Sequence, residues 1–138
     1  MILVIRIAGE VSLRADVKET LYRMKLRKKY VAVLMKETPL NMKLLVRMTN
    51  FVAYGKITPA MLEQLIEKRG KSLTKKELDA GKVAKDIESK SAEELGMKGF
   101  FRLHPPRKGI DSKTHYGIRK GVLGEHTKGI DALVERML

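Results

Sequence analysis

The chain has no cysteine and no tryptophan, only four prolines, and aromatic residues make up just 5% of its 138 positions. Without cysteine there is no disulfide, no thiolate metal site and no cysteine nucleophile, which fits a reducing compartment. So few aromatics remove the usual mark of single-stranded RNA readers, stacked rings on a sheet. No apolar run approaches the roughly 18–20 residues that span a bilayer. The opening "MILVIRIAGE" is apolar, yet no basic segment precedes it and Arg6 interrupts it. It reads as a strand rather than a signal peptide. Catalytic fingerprints are missing too: there is no P-loop, no dinucleotide-binding glycine motif and no nucleophile elbow. Nothing in the sequence calls for a cofactor.

Anions are also scarce. The chain carries 29 Lys and Arg against 16 Asp and Glu, a net charge of +13 and a pI of about 10.0. Such a surface attracts polyanions, and nucleic acid is the default partner because each cation set against a phosphate releases condensed counterions. An anionic membrane would ask for a basic amphipathic helix with a bulky aromatic face, and none is present. Residues 1–58 hold 12 cations and 4 anions, residues 59–96 hold 8 of each, and residues 97–138 hold 9 and 4. Two basic ends flank a neutral middle. The acidic residues, concentrated in that middle on exposed helix positions, offer no paired carboxylates for acid–base catalysis, and the reading is of a protein that is not an enzyme.

What is present suffices for a core: 43% of residues are hydrophobic, enough for one domain with or without an appended subdomain. "MILVIRI" is apolar at nearly every position, the pattern of a central strand buried on both faces. "RADVKETLYRMKL" follows as a helix, with Asp16 as N-cap and Val17, Leu21 and Met24 turned inward. Arg14, Lys18 and Lys25 share a neighbouring face, and Arg27, Lys28 and Lys29 form the turn into the strand "YVAVLMKE". Thr38 and Pro39 open a second helix, in which Met42, Leu45, Val46 and Thr49 form the core stripe while Lys43 and Arg47 point elsewhere. "FVAYGKI" is a third strand with Gly55 as a bulge.

Residues 1–58 thus read as a β-α-β-α-β core with helices on one sheet face, an α+β arrangement. A second Thr-Pro pair, Thr58-Pro59, starts another helix; shared helix-start chemistry explains the echo better than duplication. "TKKE" at 74–77 and "SAEE" at 91–94 are capping boxes, so residues 74–96 read as short exposed helices. From 97 to 138 a short strand, "FFRL", leads into Pro105-Pro106 and then a glycine-rich segment, with glycines at 109, 117, 121, 124 and 129. "IDALVERML" closes the chain as a helix. The segment between reads as a long anchored loop, and loops of that length are usually functional.

"FFRLHPPRKGIDSKTHYG" admits two readings. His104, Asp111 and His115 could be drawn as the site of a metal-dependent phosphoesterase. However, His104, His115 and His126 lie eleven residues apart, and no pair has the spacing that sets two ligands on one helix face. "GVLG" at 121–124 matches the G-x-x-G of KH domains but lacks their flanking helices. The other reading is a stiff basic strap. Pro105 and Pro106 pre-order it. Arg107, Lys108, Arg119 and Lys120 would meet phosphates, while the glycines allow close approach and His104, His115 and Tyr116 stack or hydrogen-bond. A free nucleic-acid chaperone or regulator would share this composition.

The stretches "DVKETLYRMKLRKKYVAVL" and "ETPLNMKLLVRMTNFVAYGKIT" resemble the ribosomal large-subunit protein L-thirty family, whose eukaryotic relatives are called L-seven. The tail "FRLHPPRKGIDSKTHYGIRKGVLGEHTKGIDALVERML" is similar to the C-terminal extension of the long archaeal members. Residues 70–97 are shorter than the long form implies. The resemblance implies a small antiparallel three-stranded sheet, ferredoxin-like, with the first strand in the middle. It also implies a non-catalytic cytoplasmic protein of the large subunit that binds rRNA near the 5S rRNA, beside other large-subunit proteins. By position, RNA contacts fall on Arg102, His104, Arg107, Lys108, His115, Arg119, Lys120 and His126 in the tail. In the first helix and its turn they fall on Arg14, Lys18, Lys25, Arg27, Lys28 and Lys29, with Lys43 and Arg47 of the second helix as further candidates.

Overall fold

The computed structural model describes residues 1–73, 79–87, 90, 92 and 94–138. The chain begins as expected: β1 (Ile2–Arg6), α1 (Ala15–Arg23), β2 (Val31–Met35), α2 (Pro39–Arg47) and β3 (Val52–Lys56). Then come α3 (Pro59–Arg69), α4 (Ala80–Asp86), β4 (Phe101–Arg102), β5 (Ser112–His115), β6 (Gly121–Glu125) and α5 (Asp131–Met137). β1 pairs antiparallel with β2 on one side and with β3 on the other, in the inner position its apolar run demands.

The expected three-stranded sheet is, however, the centre of a six-stranded one, ordered β4-β2-β1-β3-β6-β5. β4 adds antiparallel to β2, with Val31 opposite Arg102, and β6 adds parallel to β3, with Ala53 opposite Gly124. The segment expected to be a loop therefore supplies two strands. Neither had a local signal, because "SKTH" is polar and "GVLGE" is broken by glycine; β6 is set by pairing with the distant β3, and β5 by pairing with β6. Two residues suffice for β4 because Phe101 is 1% exposed, and burying a phenylalanine stabilises by about 1.5–3 kcal/mol.

Helices cover both sheet faces rather than one. Ile2 and Val4 pack with Leu21 and Met24 of the α1 segment and Leu45 and Met48 of the α2 segment. Leu3, Ile5 and Ile7 pack on the opposite face against Leu62, Leu65 and Ile66 of α3, Val83 of α4, and Leu133, Val134 and Met137 of α5. Segments 1–58 and 97–138 thus share one sheet, and segment 59–96 packs on one of its faces through α3 and α4.

Local chemistry sets the helix ends. Thr38 and Thr58 each cap a helix through the side-chain oxygen, accepting from Asn41 N and Met61 N, with proline next in line. α1 starts two residues earlier than expected, with Arg14 at the N-cap and Asp16 inside the first turn, where its charge faces the positive helix end. In α2 the inward stripe is Met42, Leu45 and Met48, whereas Val46 is 63% exposed. Gly55 is no bulge, since it sits in regular register opposite Leu3. A Cβ there would lie 3.1 Å from the Cβ of His126, so the glycine admits the β6–α5 connection. The capping box at 74–77 and half of that at 91–94 lie outside the described residues. α4, which falls between them, is not wholly exposed: Val83, and Ile87 just past its end, are core residues.

Candidate nucleic-acid interface

The basic turn between α1 and β2 is built around a buried arginine. Arg6, at the end of β1, is 2% exposed. Its Nη1 donates to Leu26 O and Arg27 O, both at 2.8 Å, while Nε reaches Ala8 O and Nη2 reaches Gly9 O, both at 2.9 Å. Burial pushes its pKa down and Glu10, 4.0 Å away, pushes it back up. A guanidinium with five forked donors is the side chain that can hold four carbonyls at once. Arg6 thereby fixes the backbone from which Arg27, Lys28 and Lys29 project.

α1 ends in a Schellman motif: Lys25 N donates to Tyr22 O, and Leu26 N to Leu21 O. The left-handed position, usually glycine, is Lys25, with φ of 62°. Arg27 stacks on Tyr22, its guanidinium carbon 4.0 Å from the ring centroid, and Lys29 lies 4.9 Å from the centroid of Tyr30. Strand pairing brings Arg102 of β4 beside this turn. Between them lies a groove of about 600 Å3, whose rim carries Lys25, Arg27, Lys28, Lys98 and Arg102 and, among the described residues, no carboxylate. Cations from the first and last thirds of the chain converge there.

The other candidates lie elsewhere. Arg14 and Lys18 are exposed on α1, with Arg14 ion-paired to Asp16 at 3.3 Å, and Lys43 and Arg47 are exposed on α2. His104, Arg107 and Lys108 are exposed in the strap, which docks on α5 through His104 N to Met137 O and Arg107 N to Arg136 O. His115, Arg119 and Lys120 are exposed at the β5–β6 edge, where His115 donates Nε2–H to Asn50 Oδ1 at 2.7 Å. Arg119 and Lys120 both adopt positive φ in the turn before β6. Since β4 and β5 are the two outer strands, five inter-strand spacings of roughly 4.8 Å put the edges about 24 Å apart. The cations form two main surfaces, not one continuous footprint.

His126 is 7% exposed; Nε2 donates to Val122 O at 2.8 Å, and its ring lies 4.3 Å from that of Tyr116. Its place is in the packing of the arm, and burial lowers its pKa. The glycines likewise serve the fold: a Cβ on Gly121 would fall 2.2 Å from His115 O. Among the described residues no three His, Asp or Glu side chains gather as metal ligands, so His104, Asp111 and His115 are not brought together. Nor is any described helix long and apolar enough to cross a membrane. Sequence reasoning missed Lys98, which has no motif, and the role of Arg6, whose signal was its position inside a fully apolar strand.

No family model matches the chain. Curated relatives do. The chain is 33% identical over 153 residues to the large ribosomal subunit protein uL30 of Archaeoglobus fulgidus, covering 99% of each. It is 34% identical over 154 residues to that of Aeropyrum pernix, covering 98% of this chain and 97% of the relative. With the uL30 of Methanobrevibacter smithii it shares 31% over 152 residues, the whole of both chains. The match runs through the sheet core, the neutral middle and the basic arm alike, and on that full-length likeness the chain belongs to the uL30 family of large ribosomal subunit proteins.

Proposed function

We propose that the protein is a structural constituent of the large ribosomal subunit, working in the cytoplasm as part of the ribosome, where it binds large-subunit rRNA. It has no catalytic role. Relatives that carry the large-subunit name over their whole length support the assembly. One observation carries the RNA contact: cations from both ends of the chain surround a groove that, among the described residues, no carboxylate lines. Neutralising phosphates there releases counterions, whereas the same cluster in a free surface would only repel itself.

The contact residues are Lys25, Arg27, Lys28, Lys29 and Arg102 at the β4 edge, with Arg14 and Lys18 further along the α1 segment. His115, Arg119 and Lys120 serve the opposite edge, and Lys43 and Arg47 the α2 face. Arg107 and Lys108 contribute from the strap, with His104 next to them. The two edges, about 24 Å apart, bridge two RNA segments, with the sheet as a rigid spacer. Within the subunit the site lies near the 5S rRNA and touches neighbouring large-subunit proteins.

The test has two arms. Affinity for large-subunit rRNA, measured by filter binding, falls by about a thousandfold between roughly 50 and 200 mM salt if six or more phosphates are contacted. Affinity that is flat over that range refutes the phosphate reading. In a sucrose gradient of cell extract the protein sediments with the large subunit. Protein left at the top, still binding RNA, would instead be a free nucleic-acid chaperone or regulator.

A further inference from the structure

The groove at the β4 edge has a floor that phosphate binding does not require. Val31, Leu73 and Phe100 line it, Leu73 is 54% exposed, and the guanidinium of Arg102 lies 5.9 Å from the centre of the Phe100 ring. An exposed leucine beside a half-buried phenylalanine, in a concave and strongly basic surface, marks a binding site rather than a solvated face. A volume of about 600 Å3 falls inside the roughly 300–1,000 Å3 of sites that take small ligands. The backbone of a regular RNA helix offers charge and sugar, but no flat apolar group to fill such a floor. An unpaired nucleotide offers both, a base with an open π-face between two phosphates.

The rim matches that layout. Lys25, Arg27 and Lys28 stand on one side, from the α1–β2 turn, and Lys98 and Arg102 stand on the other, from the segment entering β4. We propose that this groove is a socket for one unpaired nucleotide bulged from an RNA helix. Its base stacks on Phe100 and Leu73, and its flanking phosphates meet the cations on either side. Arg6 is a positioning residue for the socket, since it holds the carbonyls of Leu26 and Arg27 and so sets one wall. The inference rests on the RNA-binding reading and adds to it: one side of the protein recognises an interruption in a helix, not helical shape alone.

The experiment uses the full chain and two RNA hairpins identical except for one bulged 2-aminopurine. The bulged hairpin binds about tenfold more tightly than the fully paired one, as expected for one stacked base, and its 2-aminopurine emission is quenched on binding. Leu73→Ser, an exposed substitution, abolishes the preference while leaving affinity for the paired hairpin intact. Equal affinities for the two hairpins overturn the socket and leave the RNA reading standing. Failure to bind either hairpin at low salt sinks both. A preference that survives Leu73→Ser, with quenching unchanged, removes the base from this groove. A labelled glutamate-rich peptide containing phenylalanine, if it displaced the bulged hairpin at equal concentration, would make the occupant an acidic protein segment and overturn the proposal.

Discussion

Arg6→Lys keeps the net charge and removes only geometry. In the native structure one guanidinium serves four backbone carbonyls, Ala8, Gly9, Leu26 and Arg27, at 2.8–2.9 Å. An ammonium on a straight stem has three donors on one nitrogen and cannot reach both the Leu26–Arg27 pair and the Ala8–Gly9 pair. At least two carbonyls lose their partner, at about 1–3 kcal/mol for each that is buried. Water can approach the part-buried ones, so the expected loss is about 3 kcal/mol. With an unfolding entropy of about 2.1 cal/mol/K per residue, that lowers Tm by roughly 10 °C. Thermal unfolding followed by circular dichroism measures it. Because the charge is unchanged, any fall in RNA affinity reports the altered turn rather than weaker attraction. A Tm drop under about 2 °C would show that the turn is held by other contacts and refute the argument.

Three further outcomes are expected. Lys25→Gly relieves a left-handed residue at the Schellman position, where a non-glycine costs about 1 kcal/mol; Tm holds or rises while RNA affinity falls, and a lowered Tm in calorimetry would contradict this. Gly121→Ala puts a Cβ into His115 O and costs about 1–3 kcal/mol. It should speed hydrogen exchange at the Tyr116 amide, which bonds Leu123 O. His126 has its pKa lowered by burial, so below the ordinary histidine value the unfolded chain takes up a proton before the folded one does. Stability is therefore full above about pH 6.5 and declines as pH falls toward the folded pKa. Urea titrations should show that decline in the native chain and less of it in His126→Gln.

The first 58 residues were legible because their signals are local. An apolar run marked β1, and two Thr-Pro pairs marked helix starts that their threonines do cap. The tail was not legible. β5 and β6 have polar or glycine-broken sequences; β6 becomes a strand by pairing with β3, some seventy residues away, and β5 then pairs on β6. Helices on both faces could have been read from β1 itself, since a strand apolar at every position needs cover on each side. For the candidate site, Arg27, Lys28 and Arg102 could be named from charge alone. Their meeting at one groove depends on β4 docking beside β2, a contact no local pattern encodes. His126 misled because a histidine in a glycine-rich stretch suggests exposure, whereas Gly55 leaves the room that lets it sit inside.

Strand order also has a temporal side. Both open margins of the early sheet, β2 and β3, are sealed by strands made last, β4 and β6. A nascent chain stopped before residue 100 would present two bare edges, each able to recruit a stranger. Arg102 arrives with the sealing strand, so one wall of the groove and the cover for an edge emerge from synthesis together. A half-made chain is thus sticky and lacks one wall of the groove, and completion cures both faults at once.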